Sequence, residues 1–409
     1  MPRLSTTEPV STMGSGGPEA SSTGRRRLLA AVAEIAPLLQ AEADQSDQAG
    51  RLSPRSVEAL RSHDLWRMRL CRERGGLELS ITDQIAVLAA LAEVDTSSAW
   101  CTMVANSSVG VLAATMPDAT LDQLFGDGVP TCSIVAAPGG KATRVEGGYR
   151  LTGMWRLASG IHHATWVHVP ALIDGDPSRL LTFAVPVAEI QVQDSWHVVG
   201  LSGTGSSDFT ADECFLPEVL AGREGNSYGQ LRGERRYDLI GFDRVESYEH
   251  LAFALGVSRR ALSELRQNLA TMPSSRHTAD REVVHNQLAR ATLELHAIEA
   301  LTHTTYAKID AAATGRTDAW NPLDVHLPRA LAVWATESAL NHTQLAFQRT
   351  GAPALHGPNI LDKLVRDMSV AATHIMVDDT AVASYGQHLL ETADLRSAPG
   401  GPARSSHAR

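Results

Sequence analysis

Side chains that could do chemistry are concentrated in residues 153–163, which read Gly-Met-Trp-Arg-Leu-Ala-Ser-Gly-Ile-His-His. Trp155 and Ser159 are followed there by two adjacent histidines, His162 and His163, directly after a strand-like run. Loops at the ends of rigid elements often carry binding and catalytic residues. Two interpretations are open: a functional loop, or a corner between two strands in which the Trp is core and the histidines are exposed.

A second loop, residues 196–208, is rich in glycine and hydroxyl side chains and reads Trp-His-Val-Val-Gly-Leu-Ser-Gly-Thr-Gly-Ser-Ser-Asp. Glycine lets a ligand approach the backbone closely, and successive backbone N–H groups can bind a planar or phosphorylated molecule. No βαβ pattern surrounds this loop, so it is not a dinucleotide-binding fingerprint. The alternative is a wide turn between two strands.

A charge pair followed by a histidine forms the third candidate. Arg366 and Asp367 precede His374 by eight and seven positions. On one continuous helix both intervals are about two turns, so the three side chains would share a face. A histidine held on a rigid helix beside a charge pair is a suitable general base at neutral pH. Alternatively, the pair bonds to neighbouring helices and His374 is a hydrogen-bonded histidine of the bundle.

Phosphate and metal sites have weaker signals. Residues 273–276, Pro-Ser-Ser-Arg, could hold a phosphate through Arg276, although such a cluster is more often a solvated loop. His296 and His303 lie seven positions apart, and no histidine pair has metal-ligand spacing, so we expect no metal site. The cysteines show no Cys-x-x-Cys spacing and are expected to be inert or buried thiols: Cys71, Cys101, Cys132 and Cys214.

Composition excludes several classes of partner. The chain has 409 residues, of which 43% are hydrophobic and 20% charged, and its net charge is −10. An acidic chain has no electrostatic reason to bind nucleic acid or an anionic membrane. No apolar run approaches the roughly 18 residues of a transmembrane helix, and no secretory cleavage site follows the N-terminal arginines. We expect a cytoplasmic protein.

Hydrophobic periodicity divides the chain into three parts, which together predict an α+β fold that is mainly α. Residues 25–128 have the helical period, residues 129–220 the strand period, and residues 221–396 the helical period again. The flanking segments 1–24 and 397–409 are rich in small and polar residues and are predicted to be disordered tails.

Within these parts the pattern is specific enough to predict elements. Ser53, followed by Pro54, and Thr82 are predicted helix N-caps in the first part. The middle part predicts six or seven short strands in a small barrel or sandwich, with a hairpin turn at Gly147 and Gly148. The last part predicts a four-helix bundle, with helices at 248–269, 283–313, 325–349 and 360–390.

This order of parts and these motifs resemble the acyl-CoA dehydrogenase superfamily over residues 27–392. The segments that carry the resemblance are 70–76 ending in Gly-Gly, Asp-Thr-Ser-Ser-Ala-Trp at 95–100, 153–160, 200–208, Phe-Leu-Pro-Glu at 215–218, and Arg366-Asp367. Each motif is modest alone, but their order and intervals together are specific.

The residue types indicate a branch of that superfamily. Many of its dehydrogenases carry a catalytic glutamate in a Tyr-Glu-Gly-Thr motif after the Arg-Asp pair, whereas here His374 and Ile375 occupy that region. Glu246 and Glu249 fall near a second position used by some members, so a dehydrogenase or oxidase with bound FAD stays open as an alternative. The whole set is more similar to the two-component (group D) flavin-dependent monooxygenases, of which amino-sugar nitrososynthases are close relatives and a further alternative.

That resemblance implies an oxygenase component that hydroxylates a small aromatic, polyketide or alkaloid intermediate. Reduced FMN or FAD would come from a separate NAD(P)H:flavin reductase, and O₂ would react through a flavin C4a-hydroperoxide. The site would have to exclude water. The relatives imply a homotetramer.

The resemblance also assigns roles to residues. Ser159 matches a serine that hydrogen-bonds near flavin N5, and its loop position suits a fixed donor; His374 matches an acid/base histidine. The flavin ring and the substrate pocket would be lined by Trp100, Trp155 and Trp196. Asn106 would be a polar residue of the pocket. The remaining expected flavin contacts are Gly160, Gly203, Thr204, Ser206 and, at the phosphate, Arg276. His162 and His163 receive no role.

Overall fold

The computed structural model describes residues 18–222, 241–271, 278–316 and 324–392. Helices at both ends of the chain flank a central β-sheet, which confirms the mainly helical α+β class. The first helix begins at Pro18, inside the segment predicted as a tail, while residues 397–409 lie outside the described residues.

Five helices form the N-terminal part: α1 (Pro18–Ala49), α2 (Pro54–Ser62), α3 (Ile81–Val94), α4 (Thr96–Thr115) and α5 (Asp118–Phe125). α2 begins as predicted, because the Ser53 hydroxyl accepts a backbone hydrogen bond from the first turn and Pro54 opens the helix. The N-cap of α3 is Ser80 and not Thr82. The Thr82 hydroxyl instead donates to Asp310, 2.7 Å away, and ties α3 to the C-terminal bundle.

The central part is one curled sheet of seven strands: β1 (Cys132–Ile134), β2 (Gly140–Val145), β3 (Gly148–Ala158), β4 (Trp166–Ile173), β5 (Leu180–Pro186), β6 (Gln191–Val192) and β7 (Ser207–Pro217). The strand order is β1–β4–β2–β3–β7–β6, and β5 pairs with β4. β2 and β3 form the predicted hairpin, with Val145 opposite Gly148. The sheet places the ends of β3 and β7 side by side, since Ala158 pairs with Ser207.

The C-terminal part contains α6 (Phe242–Thr271), α7 (Thr278–Ala313), α8 (Leu327–Thr350), α9 (Ile360–Ala371) and α10 (Thr380–Thr392). The last predicted helix, 360–390, is wrong as one element, because it is interrupted between α9 and α10. His374 Nδ1 accepts a hydrogen bond from the backbone N–H of Met376, and Asp378 accepts one from Thr380. Side chains that bind backbone N–H groups locally compete with helical hydrogen bonds, which explains the interruption.

Helix α4 joins the two hydrophobic cores of the molecule. Its Trp100 and Met103 pack in the helical core, whereas Val109 and Leu112 pack against the sheet. A helix buried on all sides is a rigid platform on which a site can be positioned. None of the helices in the described ranges is long and apolar enough to span a membrane.

Candidate active site

Trp100 on α4 connects the two residues that the sequence analysis singled out as catalytic. Its indole Nε1 donates a hydrogen bond to the hydroxyl of Ser159 at 3.1 Å. The same ring lies edge-on to His374, His250 and Phe253, with centroid separations of 5.7, 5.4 and 5.3 Å. Ser159 from the end of β3 and His374 from the interruption after α9 are thus brought to one place by one buried aromatic side chain.

His374 is not held as predicted, because it lies outside any α-helix. Its Nδ1 accepts the backbone N–H of Met376 at 3.3 Å, which leaves the ring proton on Nε2. Its ring stacks on that of His250, with centroids 4.2 Å apart. Burial lowers the pKa of His374 to about 4, so the imidazole is neutral at pH 7 and presents its Nε2–H as a hydrogen-bond donor.

His250 on α6 was missed by sequence reasoning. It is buried, and burial followed by the nearby His374 lowers its pKa well below the usual range for histidine. A lone histidine on an apolar helix carries no signal by itself. The available signal was its spacing from Phe253, which places both rings on the face of α6 toward Trp100.

The hydroxyl groups of Ser159, Ser206 and Thr204 form a chain whose proton direction follows from its two ends. Thr204 donates its single hydroxyl proton to the carbonyl oxygen of Leu201, 2.7 Å away. Ser206 therefore donates to Thr204, and Ser159 donates to Ser206, each across 2.7 Å. Because Trp100 already donates to Ser159, that hydroxyl keeps one free lone pair and no free proton. With this proton direction Ser159 would accept from a ligand, whereas the sequence analysis expects it to donate.

The loop 196–208 is braced by carboxylates, which accept its backbone N–H groups. Asp367 accepts the N–H of Leu201 at 2.5 Å, and Asp47 at the end of α1 accepts the N–H of Gly203 at 3.1 Å. The Gly203 N–H is therefore not free for a phosphate. Lys363 binds both carboxylates, at 2.7 Å to Asp47 and 3.0 Å to Asp367.

Arg366 and Asp367 therefore bond to the loop 196–208 and not to His374. The guanidinium of Arg366 donates to the carbonyl of Val199 at 3.0 Å, on the other flank of Gly200. A Cβ on Gly200 would lie 2.1 Å from the carbonyl oxygen of Arg366, so the close approach of loop and helix requires glycine. The prediction that Arg366, Asp367 and His374 share one helical face is wrong, since α9 ends at Ala371.

Two residues predicted to line the pocket are structural. Trp155 is fully buried in the sheet, stacked on Phe209, and its Nε1 donates to the carbonyl of Pro170 at 2.9 Å. Asn106 is also fully buried, and its side chain accepts from the N–H of Met68 and donates to backbone carbonyls. Neither side chain has a free group to offer a ligand, so neither is a wall of the pocket.

The other predicted contacts hold the loops together. Gly160 adopts a left-handed φ of 74° and donates its N–H to the carbonyl of Thr204 at 2.9 Å, which links the two loops. The half-buried Trp196 donates to the carbonyls of Leu201 and Ser202 and closes its own loop. Arg276 lies outside the described residues. Within those residues, no group of three His, Cys, Asp or Glu side chains is placed to hold a metal.

The adjacent histidines of the first loop have structural partners. His162 Nε2 lies 2.8 Å from the hydroxyl of Ser207, and His163 stacks on Trp66 with centroids 5.4 Å apart. Burial lowers the pKa of His163 to about 4. Both side chains line a groove of about 600 Å³ between α2 and the sheet, away from His374.

Three apolar side chains that the sequence analysis passed over are exposed beside these loops. Leu157 is 64% exposed, Val199 70% and Ile375 71%. Each lies within two positions of Ser159, Gly200 or His374 in sequence. Leu157 also has an unfavourable φ of 61°, held by a hydrogen bond from its N–H to Asp208. Exposed apolar side chains next to such loops suit a flat, largely apolar ligand.

The two glutamates considered as bases are buried and bonded to neighbouring side chains. Glu246 pairs with the buried Arg69 at 2.7 Å and accepts the hydroxyl of Ser107 at 2.6 Å. Burial, with a further contribution from the Glu246 charge, raises the pKa of Glu249 well above its usual range. Glu249 also accepts the hydroxyl of Tyr248 at 3.3 Å, so both carboxylates are held by partners within the protein.

Comparison with known proteins agrees with this fold. The family model described as acyl-CoA dehydrogenase, C-terminal domain, matches residues 248–379. The crystal structure of XiaF from Streptomyces sp., in complex with FADH2 and glycerol, superimposes with a TM-score of 0.82 at 24% identity, covering 92% of this chain and 98% of that one. That similarity concerns the fold.

Curated relatives align over most of the chain. A pigment production hydroxylase of Rhodococcus sp. is 27% identical over 336 residues, which cover 78% of this chain and 85% of the relative. The oxygenase component of an FADH(2)-dependent resorcinol hydroxylase from Rhizobium sp. is 25% identical over 390 residues, covering 89% of this chain and 94% of the relative. The chain is therefore similar to the acyl-CoA dehydrogenase superfamily in its C-terminal part, and its curated relatives are oxygenase components of flavin-dependent hydroxylases and monooxygenases.

Proposed function

We propose that this chain is the oxygenase component of a two-component flavin-dependent monooxygenase. It would receive reduced FMN or FAD from a separate NAD(P)H:flavin reductase and hydroxylate a small aromatic, polyketide or alkaloid molecule. The observation that carries the proposal is the arrangement of Ser159 and His374 around Trp100, with hydrogen-bond and ring contacts of 3.1 and 5.7 Å.

The residues present suit a flavin. A flavin ring is flat and apolar on its faces and polar at its edge. Exposed Leu157, Val199 and Ile375 offer apolar contact, and Ser159 offers a hydrogen-bond acceptor. When bound, a reduced flavin would supply the electrons that let one atom of O₂ enter the substrate.

The chain's own contribution to chemistry centres on His374. Its imidazole is neutral at pH 7, and Nδ1 is already an acceptor of the Met376 N–H, so Nε2 carries the proton. In this tautomer the Nε2–H group can donate a hydrogen bond to a substrate oxygen and hold it in place. The rings of Trp100 and His250 pack against His374, and Phe253 packs on Trp100, an apolar aromatic setting that favours an aromatic substrate and disfavours water.

Two further properties are proposals of the same kind. The exposed apolar side chains Val283, Leu293 and Trp334 on α7 and α8 support assembly into a homotetramer. Light scattering at micromolar concentration tests that state. The relatives named as oxygenase components or subunits support a separate reductase partner.

The decisive experiment combines the purified chain with a flavin reductase, NADH and FMN or FAD under ¹⁸O₂. Resorcinol and p-hydroxyphenylacetate are the first probe substrates, since relatives are named for them. Product carrying one ¹⁸O atom, formed only when the reductase is present, is expected. A tightly bound yellow FAD that bleaches with an acyl-CoA in the absence of reductase would instead establish a dehydrogenase or oxidase.

A further inference from the structure

His250 on α6 is a buried histidine to which the proposed function gives no role. Its side chain is 6% exposed, and neither of its ring nitrogens forms a hydrogen bond with the residues that the structure describes. Buried polar groups are almost always hydrogen-bonded, so a buried group without a partner requires an explanation. The ring contacts Trp100 edge-on and stacks on His374, which places its unbonded nitrogens at the candidate active site.

We propose that His250 is a second substrate-binding residue, and that the stacked pair His250–His374 selects an arene that carries two oxygen substituents ortho or meta to each other. The inference rests on the proposed function, in which the molecule bound beside Trp100 and His374 is the substrate. It deepens that function by naming the substrate class and a residue that determines it.

The packing around His250 does not require an imidazole. Phe253, further along α6, makes an edge-on contact with Trp100 at 5.3 Å, and His250 makes the same kind of contact at 5.4 Å. A phenyl ring at position 250 would keep this contact and the stacking on His374, and it would leave no polar atom without a partner. The unbonded nitrogens of His250 therefore destabilise the fold, and a ligand that bonds to them would offset this cost.

The hydrogen-bonding groups of the pair suit uncharged hydroxyls. Burial lowers the pKa of His374 to about 4, and burial followed by the nearby His374 lowers the pKa of His250 well below its usual range, so both rings are neutral at pH 7. His374 offers only a donor, Nε2–H, because Nδ1 accepts the Met376 N–H. His250 has one N–H and one lone pair, and no partner fixes which nitrogen carries the proton. A phenolic hydroxyl, which both donates and accepts, can therefore bond to either ring.

The spacing of the pair limits how the two oxygens are arranged on the substrate. The ring centroids lie 4.2 Å apart, and the planes are inclined by 30°. Because hydrogen bonds to an imidazole lie close to the plane of its ring, the two rings direct their bonds along nearly parallel planes, one stacking distance apart. Two oxygens on the same edge of an arene, ortho or meta to each other, can meet both rings. Oxygens in para positions lie on opposite edges and cannot.

The test measures the dissociation constants of resorcinol, catechol, hydroquinone and phenol for the purified chain. Calorimetric titration is carried out anaerobically, with dithionite-reduced FMN present. Resorcinol and catechol should bind about tenfold more tightly than hydroquinone and phenol, because the correctly placed second oxygen adds one hydrogen bond.

Three variants assign this preference to His250. His250→Phe keeps the ring contacts and should weaken resorcinol and catechol about tenfold, to the level of phenol, while the constant for phenol changes little. His250→Gln, whose amide can both donate and accept, should restore part of the preference. His168→Leu removes another buried histidine without hydrogen-bond partners, inside β4, and as the matched control should keep the wild-type constants.

A wild-type chain that binds the four arenes equally, or binds none of them, overturns the proposal whether or not the variants fold. A His250→Phe chain that keeps the preference, or that loses phenol as strongly as resorcinol, also overturns it.

The outcome is distinguishable from failure of the proposed function, because the binding measurement needs no turnover. Incorporation of oxygen into a substrate by a chain that shows no preference among the four arenes refutes only the role of His250. A preference that His250→Phe abolishes, in a chain that incorporates no oxygen when a reductase is supplied, refutes only the proposed function.

Discussion

The indole nitrogen of Trp100 lies 3.1 Å from the hydroxyl of Ser159, and the same ring contacts His374 edge-on at 5.7 Å. These residues come from a helix, the end of a strand and an interruption between two helices. One side chain, Trp100, therefore contacts both a group that can bond to a cofactor and a histidine that can bond to a substrate.

Trp100→Phe should separate the hydrogen bond to Ser159 from the ring contact with His374. Phenylalanine keeps the aromatic contacts with His250 and His374 but loses the N–H that occupies Ser159. We expect a loss of about 1 kcal/mol in the free energy of unfolding and a lower yield of product per NADH consumed, with more hydrogen peroxide released. Denaturant titration and a product-to-NADH ratio measure both. A variant with wild-type coupling would show that the hydrogen bond to Ser159 has no catalytic value.

His374→Asn should lower hydroxylation by about 10²–10³-fold, because the shorter side chain cannot place a hydrogen-bond donor where Nε2–H lies. Binding of reduced flavin should persist, because the proposed flavin contacts are made by Ser159 and the exposed apolar side chains and not by His374. His303→Asn, on the exposed side of α7, is the matched control. Equal turnover in the two variants would remove His374 from the mechanism.

The pH dependence of His374 gives an independent check on the same residue. With its pKa lowered to about 4 by burial, the acid limb of the hydroxylation rate should fall near pH 4–5 and not near pH 6.5. The unfolded value is about 6.5, so above that pH the ring is neutral in both states. An acid limb centred on pH 6.5 would mean that the working histidine is exposed.

His168 in β4 should make the protein less stable in acid. The ring is fully buried, neither nitrogen has a hydrogen-bond partner within the described residues, and burial lowers its pKa to about 3. As pH falls from 6.5 toward 3 the unfolded chain binds a proton that the folded chain refuses, so stability falls by up to about 1.4 kcal/mol per pH unit.

The corresponding variant is His168→Leu. We expect a gain of about 1–3 kcal/mol at pH 7, because an unsatisfied buried polar group is removed, and a smaller loss of stability between pH 7 and pH 5. Urea midpoints at both pH values measure the slope. A slope equal to that of the wild type would indicate that other buried histidines, such as His163, dominate the acid sensitivity.

Lys363→Met should release the loop 196–208. The ammonium group bonds to Asp47 and Asp367, and its loss leaves both carboxylates without their shared cation, at a cost of about 3–5 kcal/mol. Hydrogen exchange at the amides of Leu201 and Gly203 should accelerate. Lys308→Met, on the exposed side of α7, is the matched control and should change neither stability nor exchange.

The sequence predicts the helices and strands well, but it predicts less well where the side chains of the site point. Cap and turn signals predict the start of α2 at Ser53 and the hairpin of β2 and β3. The superfamily resemblance brings forward Ser159 and His374, which lie far apart in the chain. Periodicity could not identify the interruption after α9, because His374 and Asp378 end the helix through hydrogen bonds that depend on side-chain orientation.

The error at Trp155 has a related cause. Strict alternation along β3 would point Trp155 and Leu157 to the same face. An irregularity in the pairing of β3 with β7, between Trp155 and Ala158, changes the register, so Trp155 stays in the core while Leu157 is exposed. Such a bulge leaves no mark in a single sequence. His250 likewise could not be found from the sequence, because only the packing of α6 on Trp100 brings it to the site.

The interruption between α9 and α10 also affects how this scaffold can change over time. Residues 373, 375, 378 and 379 are exposed, so few side chains of the segment support the bundle. The group at position 374 is oriented by its neighbours Trp100 and His250 and not by a helix of its own. Evolution or protein engineering could therefore replace His374, or alter the length of this segment, without redesign of the surrounding core.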